Sequence, residues 1–280
     1  MMDTSDVFPS FDDCFPDLNQ FISGLIKDYE AGSIQSWDEM EDRVKAYFTP
    51  PKMEQMETVV PGWQKMASYS DGITLVHVMC AFLTMFMLPE FKSLSPEQKQ
   101  LAKWIILFHD VDKFHIQGNK DTMHAFRSAA LAARTLPEFG FPTTSQYHER
   151  IDPWSEYAAQ AFIPGPDEIA PRPDNQTLPE ILAGIEQLYG EDTPATLIIK
   201  TILFHLSFRE DDEYPTPAPL TEDEIQRYVT SSLIPFSRIM MLSDNLAWTL
   251  FEPQPRAKRH QATLAYFQNV EKLISAKQDH

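Results

Sequence analysis

The sequence predicts an all-α protein, and three observations carry that prediction. Helix punctuation recurs: Ser36 with Glu39, Ser95-Pro96 with Gln98, Thr177 with Glu180, and Thr221 with Glu224 have the spacing of capping boxes ahead of apolar-periodic segments. No stretch alternates with the period of two that marks strands. The 280 residues include only nine glycines, none in a GxG pair, so the glycine-rich phosphate loops of Rossmann and P-loop folds have nothing to be made from. A hydrophobic content of 43% is enough to build a real core.

Taken in order, residues 1–15 mix acidic residues, proline and phenylalanine without a period, and are expected to form a mobile N-terminal arm that docks locally. A single helical domain is expected over 16–280. Its helices are placed near 16–31, 36–48, 71–88, 96–110, 121–136, 177–189, 194–207, 221–232, 235–251 and 256–276. Pro96 and Pro194 sit where a first turn tolerates them, and Gly32 and Gly190 sit where helices stop. The longest apolar run, Gly72 to Leu88, is shorter than the roughly 20 residues of a membrane span, contains His77 and lacks flanking anchors, so a helix buried on all sides is expected. Pro137 to Gln176 is rich in proline and polar residues and reads as a long loop, with at most one short helix near Trp154 to Phe162; such loops often serve as lids. Met79, Met85, Met87, Met240, Met241, Trp104 and Trp248 are expected to fill the core.

Twenty-three basic residues against 41 acidic ones give a formal charge of −18. That field repels nucleic-acid backbones and anionic membranes while drawing cations inward, so neither a nucleic-acid duplex nor a membrane is an expected partner. Cys14 lies in a polar stretch and Cys80 inside an apolar run, which leaves no disulfide framework and no CxxC metal site; a reducing cytoplasm fits best. No basic segment leading into an apolar one opens the chain, so no secretory signal is expected.

The sharpest chemical signal is His109-Asp110 at the end of the amphipathic segment LAKWIILFHDVDKF. An imidazole nitrogen and a carboxylate projected from one helix end suit Mn, Fe, Co or Zn. Alone the pair is a weak signal, because a helix C-terminus favours a histidine in any case. Its company strengthens it. His77 lies in the most apolar segment, where an unpaired imidazole would be costly to bury. His124 in KDTMHAFRSAALAA, His205 in TLIIKTILFHLSF and Asp244 in IMMLSDNLAW are likewise isolated polar groups in apolar helices. Five such sites are better explained together than separately. His148 follows a Pro-Thr-Thr-Ser loop that fixes its backbone poorly, whereas His205 shares a helix with an apolar face of Ile198, Ile202 and Leu206, and rigid elements hold ligands better. His115, His260 and His280 read as surface histidines.

The order His77, His109-Asp110, Asp244 resembles the HD superfamily, the all-helical metal-dependent phosphohydrolases with the signature H...HD...D, over roughly residues 65–250. FHDVDKF is similar to the HD-x-G-K form of several branches, with Lys113 in the lysine position and Asp112 where those branches usually carry glycine. MHAFRSAALAA and ILFHLSF resemble two later histidine-bearing helices. There is no GYP element, although YHERID around His148 echoes part of one, and the acidic pair that follows the HD motif in guanosine tetraphosphate hydrolases is missing.

The resemblance implies an HD-type helical bundle with an N-terminal helical extension. It also implies two divalent ions (Fe, Mn, Co or Zn) about 3.5 to 4 Å apart and bridged by Asp110. His77, His109 and Asp244 would hold one ion with Asp110, and His124 and His205 would complete the second. The implied function is hydrolysis of a small phosphorylated compound or nucleotide by a metal-bridging hydroxide. Lys113 and Arg127, one turn after Asp110 and His124, are the candidates to meet oxygens of a small anionic substrate. The same pattern resembles myo-inositol oxygenase and its relatives, which implies a mixed-valent di-iron oxygenase as an alternative. Degenerate HD domains imply a third reading, a non-catalytic scaffold in signalling, against which the retention of every candidate ligand argues.

Overall fold

The structure, a computed structural model, describes residues 8–68, 73–114, 121–163, 172–208 and 219–278. A short helix opens it, α1 (Phe11–Cys14), and then the longer α2 (Pro16–Glu30), followed by α3 (Trp37–Tyr47), α4 (Pro50–Val59) and α5 (Trp63–Ser68). The apolar run forms α6 (Ile73–Met87), and α7 (Pro89–Lys92) and α8 (Pro96–Phe108) lead to the His-Asp pair. After it come α9 (His124–Thr135), α10 (Tyr147–Gln160), α11 (Leu178–Tyr189) and α12 (Pro194–Phe204), then α13 (Glu222–Tyr228), α14 (Ile234–Ala247) and α15 (Pro253–Gln278). The fold is all-α. Its one extended feature among the described residues is a two-residue antiparallel ladder, β1 (Phe162–Ile163) with β2 (Arg172–Pro173).

Five helices pack on one another at the centre: α6 on α8 and α14, and α12 on α8, α9 and α14, with α8 also against α9 and α14. Thr74 through Met85 of α6 are all buried, as a helix apolar all round requires. Burial of side chains such as Leu75, Phe82 and Leu83 contributes about 1.5–3 kcal/mol each. Around this centre, α2, α3 and α5 cover α6, while α15 covers α13 and α14. Helix α10 lies against α9 and α11, and α11 against α12.

Three of the four expected caps form. Ser36 accepts from the Glu39 N–H at 3.2 Å, and Ser95 and Thr221 make reciprocal boxes with Gln98 and Glu224. Thr177 does not cap α11. A 3-10 turn over Asn175–Thr177 precedes that helix, Asp174 caps the turn through the Gln176 N–H at 3.0 Å, and the Thr177 hydroxyl donates back to the Asp174 carbonyl.

Other expectations need correction. The stretch 137–176 carries the fourteen-residue α10 in place of one short helix near Trp154 to Phe162. Pro153 lies inside α10 and made it read as loop, but Tyr147, Ile151, Trp154 and Ala158 bury one face and outweigh the lost hydrogen bond. Trp154 donates from Nε1 to the Ile181 carbonyl at 3.0 Å, fixing α10 to α11. The helices α4, α5 and α7 lie outside the expected set; Pro50-Pro51 and Pro89 open α4 and α7, in first turns where proline costs no hydrogen bond. Of the N-terminal arm, residues 1–7 lie outside the described residues. Residues 8–15 dock firmly: Phe11 and Phe15 are buried against Trp104, whose Nε1 donates to the Pro9 carbonyl at 3.1 Å, and Asp12 pairs with Lys103. Trp248 is the one expected core tryptophan that is not buried, being 41% exposed. His115 and His280 lie outside the described residues.

Candidate metal centre

The central helices deliver their ligands at their ends and from their buried faces. His109 is the residue that closes α8, His205 the one that closes α12, and His124 is the first residue of α9. Last-turn carbonyls of a helix lack an intrahelical partner. His109 Nδ1 lies 2.8 Å from the Ile106 carbonyl, and His205 Nδ1 lies 2.7 Å from the Ile202 carbonyl, which it shares with the His205 backbone N–H at 3.3 Å. His124 Nδ1 takes the Asp121 carbonyl at the same three-residue spacing. A neutral ring that donates from Nδ1 keeps a lone pair on Nε2, the form a metal ligand needs.

Those nitrogens converge on Asp110, which is 1% exposed. Asp110 Oδ1 is 2.9 Å from His124 Nε2 and 3.8 Å from His205 Nε2. Asp110 Oδ2 is 3.8 Å from His109 Nε2 and 3.9 Å from His77 Nε2. On the His77 side, Nε2 lies 2.8 Å from Asp244 Oδ1; on the other, His124 and His205 Nε2 are 3.1 Å apart. Two buried donor groups result, His77–His109–Asp244 and Asp110–His124–His205, each with its donor atoms within 4.8 Å of one another. All six ligand residues expected from the sequence are brought together.

The donor chemistry fits a metal. Atoms that meet one ion at right angles, each about 2.1 Å from it, are about 3 Å apart, which matches the three short separations. His109 Nε2 is buried with no hydrogen-bond partner among the described residues, a condition that costs about 1–3 kcal/mol unless a cation satisfies it. The electrostatics agree. Burial, with His124 and His109 nearby, pushes the His205 imidazole down to about 3, and burial also lowers His109, so both are neutral donors at pH 7. Burial works to raise both carboxyls, but it is outweighed. Lys113, His109 and His124 hold Asp110 well below the usual carboxylate range, and the hydrogen bond and field of His77 do the same for Asp244.

The neighbouring charges divide into two sets. Lys113 Nζ lies 2.7 Å from Asp110 Oδ2, with its side chain 19% exposed. Arg127 is placed elsewhere: its guanidinium donates to the Asp112 carbonyl at 3.1 Å, pairs with the Asp121 and Asp112 carboxylates and lies over the Phe114 ring. Asp112 also pairs with Lys65. His148 is exposed on α10. His260 is half-buried, with Nε2 3.5 Å from Glu90.

Sequence reasoning missed Asp121 and Trp248. Asp121 supplies the carbonyl for His124, and its carboxylate accepts the Phe114 N–H at 2.7 Å; its place three residues before His124, as Ile106 and Ile202 stand before His109 and His205, is the signal that could have found it. Trp248 stacks on His77 with ring centroids 4.4 Å apart, which nothing local in the sequence indicates.

Fold and site together define an all-α protein with two buried His/Asp groups that could hold metal ions, an arrangement compatible with an HD-type fold and with a metal-dependent enzyme. No family model, curated protein or solved structure matches the chain.

Proposed function

We propose that this protein is a metal-dependent hydrolase acting on a small phosphorylated compound or nucleotide. The observation that supports this most is the division of Asp110. One carboxylate oxygen faces His124 and His205 while the other faces His77 and His109, as a bridge between two ions requires. Divalent ions bound there would supply Lewis acidity and a water acidified toward neutral pH. The chain's own residues supply the rest. Burial of all six ligand residues gives a low-dielectric site in which charge interactions are strong. Lys113, in contact with Asp110 yet partly open to solvent, is suited to hold an anionic substrate oxygen beside the ligands. The contacts of Arg127 favour a positioning role, because it holds Asp121, whose carbonyl orients His124.

The test is elemental analysis of wild type and Asp110→Ala, with phosphatase and oxygen-uptake screens on the same samples. Wild type should carry two ions per chain and hydrolyse a phosphorylated compound, and Asp110→Ala should lose both ions while circular dichroism stays helical. A wild-type chain that binds no metal after reconstitution, or a variant that keeps full metal content, sinks the proposal. Oxygen consumption by the iron-loaded protein without hydrolysis would favour the di-iron oxygenase.

A further inference from the structure

The four histidines of the centre are not held alike. His109, His124 and His205 each anchor Nδ1 on a backbone carbonyl three residues earlier, which fixes both the tautomer and the ring orientation. His77 has no such anchor: it is fully buried in α6, and its Nδ1 has no hydrogen-bond partner among the described residues. A histidine ring turns about a broad terminal torsion, and the 2.8 Å contact of Nε2 with Asp244 Oδ1 pins that edge of the ring alone. One flat surface lies against it. The Trp248 indole stacks on the imidazole at 4.4 Å between centroids and 19° between planes.

Trp248 is well placed for this. It closes α14 four residues after Asp244, so one rigid helix carries both the carboxylate partner of His77 and the plate against its ring. Trp37, the first residue of α3, backs the indole with ring centroids 5.7 Å apart. Core packing does not account for Trp248, since 41% of it remains exposed. We infer that Trp248 is the positioning residue for His77, holding its ring in the ligating orientation by stacking where the other three histidines are held by carbonyls. This rests on the reading of His77, His109 and Asp244 as a metal site.

The test is a Co²⁺ titration of wild type, Trp248→Ala and Trp248→Phe, followed by visible absorption and by counting bound ions. In Trp248→Ala, one of two Co²⁺ ions should weaken by about 10- to 100-fold, the usual cost of losing a partner that orients a ligand. The ion of Asp110, His124 and His205 should bind as in wild type, which also shows that the fold is intact. Trp248→Phe keeps a ring against His77 and should restore most of the lost affinity. Unchanged affinity for both ions in Trp248→Ala, equal losses at both sites, or a Trp248→Phe variant no better than Trp248→Ala would overturn the inference. If wild type itself binds no Co²⁺, the metal reading falls and this one with it; if wild type binds two and the variants do as well, only this one falls.

Discussion

At the scale of the residue, His205 and His148 show what makes a histidine a ligand. His205 is buried, anchored at Nδ1 by the Ile202 carbonyl and pushed down to about 3 by that burial, with Nε2 3.1 Å from His124 Nε2. His148 is exposed, and its ring meets only Tyr147 among the described aromatic contacts. His205→Ala should therefore lower bound metal from two ions toward one, whereas His148→Ala should leave the count at two. Metal counting on the purified variants decides it; the reverse pattern would leave a mononuclear centre of His77, His109, Asp110 and Asp244.

At the scale of the element, the turn that joins α4 to α5 braces the segment carrying Asp110. Gly62 holds φ at +96°, and a Cβ there would lie 2.6 Å from the carbonyl of Val111, the residue after Asp110. Glu57 ties the turn by accepting the Gly62 and Gln64 N–H groups at 3.0 and 2.8 Å, and Lys65 of α5 pairs with Asp112. Gly62→Ala combines a left-handed backbone with a clash against main chain that cannot rotate aside. It should cost about 2 kcal/mol of stability and weaken metal binding. Urea unfolding checks the first figure, and a loss below about 0.5 kcal/mol, ordinary for a surface change, would show that the turn does not brace the site.

For the whole molecule, the ligands run from His77 to Asp244 and come from α6, α9, α14 and the ends of α8 and α12, so the centre exists only when those helices are packed together. A ligand that binds the folded chain alone stabilises it by mass action. Free Mn²⁺ at a hundred times its dissociation constant should add about 2.7 kcal/mol per site, and for a chain of this size each kcal/mol raises the melting temperature by about 2–4 °C. Thermal melts of chelated protein with and without added Mn²⁺ should separate by several degrees and merge again with excess chelator. Coincident melts at saturating Mn²⁺ would mean that the two donor groups do not act as a folded-state metal site.

What the sequence determined by itself is the part of the molecule held by contacts within about one helical turn. The Ser36, Ser95 and Thr221 caps, the buried character of α6 and the six candidate ligands were all legible, because capping pairs three residues apart and isolated polar groups in apolar helices leave local marks. Helix α10 was hidden by Pro153, since the burial that outweighs the missing hydrogen bond comes from α9 and α11. The split of Asp110 between two histidine groups, the commitment of Arg127 to Asp112 and Asp121, and the seat of Trp248 on His77 were decided by tertiary structure alone. His77 and Asp244 stand 167 positions apart and meet at 2.8 Å. A hydrogen bond of that kind depends on where two helices cross, which is fixed by the packing of their apolar faces and leaves no spacing in the chain to read.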